Sequence, residues 1–143
     1  MVSLGKRLKR FIYNKRISSH LNQARTLRHA NQYEQALDRL QKAEKLSRTS
    51  IQIMKEYFWL YIRQGNETVA IDLLEKVIHI QIEQQALNLN DLFTLHDLNV
   101  KHRCYEDALK HLDSALKNQK MAPDQIIKVL YKFYLLKNNC LLT

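Results

Sequence analysis

Hydrophobic residues return in the same pattern at three places along the chain, beginning with the segment 31–46. Ala36 recurs 34 residues later as Ala70, and again 38 residues after that as Ala108. Three further apolar positions keep the same helical offsets in each copy. They hold Leu37, Leu40 and Ala43, then Ile71, Leu74 and Val77, then Leu109, Leu112 and Ala115. A period near 34 with small residues at the crossing points predicts stacked helix pairs.

Residues that favour helix ends separate these segments. Asn31, with Glu34 three residues later, predicts a cap for the second helix of the first pair. The first helix of the second pair is expected from Ile51 to about Arg63, because Ser47 to Ser50 forms a polar turn before it. Gly65-Asn66 then predicts the end of this helix and the start of the next.

The third pair follows a longer connection. Because residues 82–87 contain no turn former, the second helix of the second pair is predicted to run one turn longer than usual. Asn88 or Asn90 is expected to cap the next helix, and the pair closes with a helix over about Tyr105 to Asn118. A last helix, capped by Asp124, is predicted to reach about residue 137, which makes seven or eight helices in all.

The repeated segments resemble the second helix of tetratricopeptide repeats. Gly65-Asn66 stands where that family usually has Gly-Asp or Gly-Asn, and Ala24 occupies the small site of the first helix. The resemblance implies a right-handed superhelix of antiparallel helix pairs with a concave, peptide-binding groove. The resemblance covers about Ile17 to Leu136. The predicted organisation is therefore a basic amphipathic arm at 1–16, a repeat domain with a C-terminal capping helix at 17–137 and a tail at 138–143.

The composition also predicts an all-α fold. The chain has 143 residues, of which 45% are hydrophobic, with only 2 glycines and 1 proline to form tight turns. Cys104 and Cys140 lack CxxC spacing, so neither a disulfide framework nor a zinc motif is indicated. A reducing compartment, the cytoplasm, is the expected location, and a peripheral position at a membrane is the alternative.

The sequence contains no pattern typical of an enzyme, a metal site or a cofactor site. With Gly5 and Gly65 as the only glycines, a glycine-rich phosphate loop is excluded. Metal-ligand residue types are densest at His96, His102, Cys104 and His111, and no pair of these has the i, i+4 spacing of a helical zinc site. We therefore expect a non-enzymatic protein without cofactor.

Positive charge is concentrated at the start of the chain. The net charge is +9, and eight of the 23 lysines and arginines, but none of the 14 acids, precede Glu34. Residues 3–17 predict an amphipathic helix with Leu4, Leu8, Phe11 and Ile12 in a stripe about 100° wide, with Lys15 inside it. The basic residues of this arm are Lys6, Arg7, Lys9, Arg10, Lys15 and Arg16.

Several roles for the arm remain open. It can be a helix docked on the first repeat, a mitochondrial transit peptide, or an element that binds an anionic membrane surface or nucleic acid. For nucleic acid, Phe11 and Tyr13 could stack on bases. No segment reaches transmembrane length.

Trp59 is the best sequence marker of a recognition surface. On a helical wheel it falls on the polar side of a helix whose other side is apolar. By resemblance, the groove positions are Leu21, Arg25 and Arg28 in the first repeat, Lys55, Trp59 and Arg63 in the second, and Phe93, Asp97 and Lys101 in the third. The family's clamp for chaperone C-termini is not matched, since its places hold Leu21, Arg25, Glu56, Asn90 and Thr94.

Two functions are therefore predicted as alternatives. In the first, the chain is an adaptor whose groove binds a partner protein or peptide. In the second, the arm binds an anionic membrane or nucleic acid, and the repeats serve for dimerisation or positioning. A homodimer is expected in either case, because the last helix carries too wide an apolar surface for one contact. The residues assigned to self-association are Ile127, Tyr131, Tyr134 and Leu135.

Overall fold

A computed structural model describes residues 3–141, with side chains described over 3–139. These residues form seven α-helices and no strand, which confirms the all-α prediction. The helices are α1 (Leu4–His29), α2 (Tyr33–Leu46), α3 (Ile51–Arg63), α4 (Glu67–Glu83), α5 (Leu89–Lys101), α6 (Tyr105–Asn118) and α7 (Pro123–Leu141). The chain divides into two compact units between Leu73 and Leu74.

The three sequence copies have equivalent burial. Ala36, Ala70 and Ala108 are almost completely buried, and the same holds at the next two equivalent positions, occupied by Leu40, Leu74 and Leu112 and by Ala43, Val77 and Ala115. The fourth set, Leu37, Ile71 and Leu109, is half-buried in all three copies. The repeated pattern therefore marks the packing face of α2, α4 and α6, as helical periodicity predicts.

The turns inside the three pairs also repeat. Asn31, Gly65 and Arg103 have φ angles of 59°, 77° and 59°, in the left-handed region. In each turn the amide of the next residue donates to a carbonyl five residues back, from Gln32 to Leu27, from Asn66 to Tyr61 and from Cys104 to Asn99. These are Schellman ends of α1, α3 and α5. The prediction that Asn31 caps α2 is wrong, because Asn31 closes α1 and Gln32 is the N-cap of α2, without a side-chain cap bond.

Several predicted boundaries are confirmed. The helix α3 begins after Ser50, whose hydroxyl accepts from the amide of Ile53, and α6 spans the predicted residues. The helix α4 has 17 residues against 14 in α2 and α6, which confirms the longer helix of the second pair. Asn88 caps α5 by accepting from the amides of Asn90 and Asp91. The connection between α4 and α5 is held by Gln81, whose side-chain amide donates to Oδ2 of Asp91 at 2.9 Å.

Two details at the C-terminus differ from prediction. Asp124 does not cap α7 but lies in its first turn, because the helix already begins at Pro123. Proline is well suited to the first helical position, where its missing N–H is not needed. The helix continues to Leu141, so the predicted tail at 138–143 overlaps its last turn, and residues 142 and 143 lie outside the described residues.

The predicted arm forms one continuous helix with the first helix of the first pair. The first buried residue of α1 is Ile17, followed by Leu21 and Ala24. These residues belong to the core of the first unit, which is completed by Ala36, Leu40 and Ala43 of α2 and by Ile53 and Leu60 of α3. The helix α1 thus packs only through its second half, and this half positions the groove described next.

Candidate functional site

A groove in the first unit contains most of the recognition residues predicted for its two repeats. It has a volume of about 510 Å³ and is lined by Ser18, Leu21, Asn22 and Arg25 of α1 and by Gln52, Lys55, Glu56 and Trp59 of α3. Four of these residues were assigned to a groove from sequence, namely Leu21, Arg25, Lys55 and Trp59. The packing of α1 beside α3 therefore brings them together on one surface.

Trp59 forms an exposed aromatic wall of this groove. Its neighbour Phe58 is buried in the protein, whereas Trp59 remains 41% exposed. The two rings meet edge to face, with centroids 4.9 Å apart and an interplanar angle of 68°. This edge-to-face contact limits the freedom of the indole ring.

A buried carboxylate lies beneath the basic residues of the groove. Glu56 is 6% exposed. Its Oε1 accepts a short hydrogen bond from Nε of Arg25, and its Oε2 lies 3.5 Å from a terminal guanidinium nitrogen of Arg28. Two arginines one helical turn apart thus share one acid. The local charge is one positive charge rather than two, and the arginine side chains are held in place.

The other predicted residues of the first unit have different environments. Leu21 belongs to the core and forms part of the groove floor. The side chain of Arg28 is only 11% exposed, so this residue supports Glu56 rather than offering a free charge. Arg63 is exposed and is not among the residues that line the groove. Of the predicted residues, Arg25, Lys55 and Trp59 line the groove without belonging to the core.

In the second unit, the equivalent residues of the third repeat meet a lysine of α7. The Nζ atom of Lys132 lies 4.8 Å from the centre of the Phe93 ring and 3.5 Å from Oδ1 of Asp97. Asp97 is also 2.9 Å from Nδ1 of His96, and Lys101 is exposed. The aromatic ring and the carboxylate of this surface therefore already have a charged partner within the chain.

A second groove in the first unit, of about 670 Å³, lies between α1 and α2. Its lining residues include the two acids Glu34 and Asp38 but no aromatic residue. A hydrogen bond from Lys42 lowers the pKa of Asp38 below its usual value, with smaller contributions from nearby positive charges, so this acid stays ionised. Without an aromatic anchor, this groove is the weaker candidate for protein recognition.

A tyrosine on α3 fixes this helix to α2. The hydroxyl of Tyr57 donates to Oε2 of Glu44 at 2.8 Å. Burial, reinforced by this hydrogen bond, raises the pKa of Tyr57, so the phenol keeps its proton at neutral pH. The helix α3, which carries Trp59, is therefore held against α2 by this hydrogen bond as well as by core packing.

The predicted arm and self-association residues lie on exposed surfaces. All residues from Leu4 to Arg16 are exposed, including the apolar stripe and all six bases. On α7, the side chains of Ile127, Tyr131, Tyr134 and Leu135 are exposed, together with Leu130. Val129 and Leu136 are buried on the other side of the same helix. The helix α1 thus has an exposed first half that carries apolar residues, and α7 has an exposed apolar face opposite its buried one.

The metal-ligand residue types do not come together. His96 pairs with Asp97, His111 lies 3.1 Å from Glu75, and Cys104 is an exposed thiol. Across the described side chains, no group of three His, Cys, Asp or Glu residues is placed to hold a metal ion. The side chain of Cys140 lies outside the described residues.

Comparisons of the chain with protein-family models, with curated proteins and with solved structures give no match. Within residues 3–141, no helix is both long and apolar enough to cross a membrane.

Proposed function

We propose that the chain is a non-enzymatic interaction module of the tetratricopeptide-repeat type, whose groove between α1 and α3 binds a segment of a partner protein. On this proposal the helix pairs form a right-handed superhelix, no cofactor takes part, and the module acts in the cytoplasm. The observation that carries the proposal is the exposed indole of Trp59 in a groove that also contains Arg25 and Lys55. Tryptophan is a frequent anchor of protein interfaces.

The groove suits a peptide with a particular chemistry. An aromatic or aliphatic side chain would stack on Trp59, and an adjacent carboxylate would meet the positive charge of Arg25 and Lys55. Because Glu56 already accepts from Arg25 and Arg28, the excess of positive charge is small. The proposed ligand therefore carries one or two acids beside its hydrophobic residue, rather than a long acidic run.

Peptide selection tests this proposal. A random peptide library is selected on the immobilised protein, and the enriched peptides are titrated against the wild type, Trp59→Ala and Val69→Ala. Val69 is a matched control, because it is an exposed apolar residue of the same unit that does not line the groove. We expect Trp59→Ala to weaken binding by about 2 kcal/mol and Val69→Ala to leave it unchanged. Equal binding to all three proteins would exclude the groove as the site.

The exposed face of α7 supports a second part of the proposal, association of two copies. Its central residues Ile127, Leu130, Tyr131 and Tyr134 are exposed, apolar or aromatic, and uncharged. A second copy offers the same uncharged face, so a closed two-fold contact brings no like charges together at its centre. The proposed module is therefore a homodimer through α7.

A further inference from the structure

We infer that residues 4–16 of α1 form a membrane-surface helix that lies on an anionic lipid bilayer, with Leu4, Leu8, Phe11 and Ile12 inserted among the lipids. This inference is independent of the proposed groove function, because it concerns a part of α1 that does not line the groove.

The arm is a preformed helix with an uncovered apolar stripe. Ser3 caps α1 by accepting from the amide of Lys6. The thirteen residues from Leu4 to Arg16 extend for about 20 Å before the first buried residue, Ile17. Leu4 is 85% exposed and Leu8 is 60% exposed. Such a segment is long enough to lie in a membrane interface and too short to cross a bilayer.

The apolar stripe does not continue the core face of α1. At 100° per residue, the stripe is rotated by roughly 160° from the side that carries Ile17, Leu21 and Ala24. The positions in line with that packed side are occupied by Lys6 and Arg10. The stripe therefore faces away from the side of α1 that packs in the core.

The charges of the arm identify an anionic surface as its complement. All six bases are exposed, and no acid occurs before Glu34. Arg7 borders the stripe on one edge, and Lys9 and Arg16 border it on the other. Lys15 lies within the stripe, with its Nζ 5.2 Å from the centre of the Phe11 ring. Long basic side chains at both edges can reach lipid phosphates while the apolar residues enter the acyl region.

Other occupants fit this surface less well. A second copy of the arm would place two sets of bases against each other, which is unfavourable. Nucleic acid would use the bases but leave Leu4, Leu8 and Ile12 in water, and the two aromatic residues Phe11 and Tyr13 point to different sides of the helix. A bilayer with anionic headgroups uses both the aliphatic stripe and the charges.

Vesicle binding by the full chain tests the inference. Flotation is measured with vesicles of phosphatidylcholine alone and with vesicles in which roughly one third of the lipid is phosphatidylserine. We expect binding to the anionic vesicles only. Leu8→Gln should weaken it about ten-fold, and Lys9→Gln with Arg16→Gln about 20-fold. The matched controls are Val69→Gln for the apolar change and Lys45→Gln with Arg48→Gln for the charge change, and both should bind like the wild type.

A tryptophan reporter separates insertion from simple attraction of charge. In a Trp59→Phe background, Leu8→Trp places the only tryptophan on the stripe, and its emission should shift to the blue and be quenched by lipids with brominated chains. Binding to anionic vesicles that lacks this shift and is insensitive to Leu8→Gln would overturn the inference. So would absence of vesicle binding, or tighter binding to polyuridylate than to vesicles with no effect of Leu8→Gln. Because the altered residues are exposed, circular dichroism should show unchanged helix content in every variant.

Discussion

Asn31 and Gly65 occupy the same backbone position in successive helix pairs, with φ angles of 59° and 77°. Each is the left-handed residue that ends the first helix of its pair, and Arg103 takes this place in the third pair with φ of 59°. Glycine adopts this conformation without steric cost and asparagine at a small one, whereas arginine is unfavourable there. The three equivalent turns therefore have the same geometry but different intrinsic stability.

Exchanging residues at these turns should change the free energy of unfolding in opposite directions. We expect Arg103→Gly to stabilise the protein by about 1 kcal/mol and Gly65→Ala to destabilise it by about 1 kcal/mol. No atom lies within 4 Å of a Cβ added at Gly65, so the effect of Gly65→Ala comes from the backbone conformation alone. Urea denaturation followed by circular dichroism measures both changes.

Gly5 provides the control for this experiment. It is the second residue of α1, and a Cβ added there also meets no atom within 4 Å. Because alanine favours a helix interior more than glycine does, Gly5→Ala should not destabilise the protein. A loss of stability in Gly5→Ala as large as in Gly65→Ala would contradict the assignment of the effect to the left-handed turn.

Much of the fold could be predicted from local sequence. The bounds of α3 and α6, the longer α4 and the equivalence of Ala36, Ala70 and Ala108 all follow from apolar spacing and turn residues. The role of Asn31 could not be read in the same way, because asparagine favours both a left-handed helix end and an N-cap. The capping-box pattern with Glu34 supported the second reading, and the backbone of the turn selects the first.

Glu56 and Arg25, two members of the ion-pair cluster under the groove, should contribute unequally to the free energy of unfolding. Glu56→Ala leaves the mostly buried guanidinium of Arg28 without its carboxylate, and we expect a loss of about 3 kcal/mol. Arg25→Ala removes a half-exposed partner and leaves Arg28 paired, so the loss should be below about 1 kcal/mol. Thermal and urea unfolding compare the two variants. Asp113→Ala, which breaks the exposed pair with Lys117, serves as the control and should have little effect. Equal losses in Glu56→Ala and Arg25→Ala would contradict this account.

This cluster was missed from sequence, although its residues gave a signal. Two bases three residues apart on α1 and one acid on the predicted groove side of α3 are the components of such a cluster. Their pairing depends on how α1 packs against α3, which neither helix encodes alone. For the same reason, the contact of Lys132 with Phe93 and Asp97 depends on the position of α7 beside α5 within the second unit.

Reversing the charge of the arm should leave the packed core intact. Lys6, Arg7, Lys9 and Arg10 are all exposed, so replacing all four by glutamate should change the melting temperature by no more than about 2 °C. Circular dichroism during heating provides the measurement. A large loss of helix content would mean that the arm is an integral capping element of the first unit.

Self-association is expected to depend on the exposed face of α7. Tyr134→Glu together with Leu135→Glu should convert a dimer into a folded monomer, because charges in an apolar contact are costly to desolvate. Light scattering at micromolar concentration gives the mass of each protein. Lys110→Glu with Lys117→Glu changes exposed charged residues of α6, outside this face, and should leave the dimer intact. A monomeric wild type would exclude the homodimer, and the face would then be expected to bind a different protein.

The central proposal is that the groove binds its ligand against Trp59, and the fluorescence of this residue tests it most directly. Trp59 is the only tryptophan of the chain, so its emission reports on the groove without interference. Titration with a selected peptide that lacks tryptophan should shift the emission to the blue in a saturable manner, with the same dissociation constant that calorimetry gives. Binding observed by calorimetry without any change in Trp59 emission would contradict the proposal.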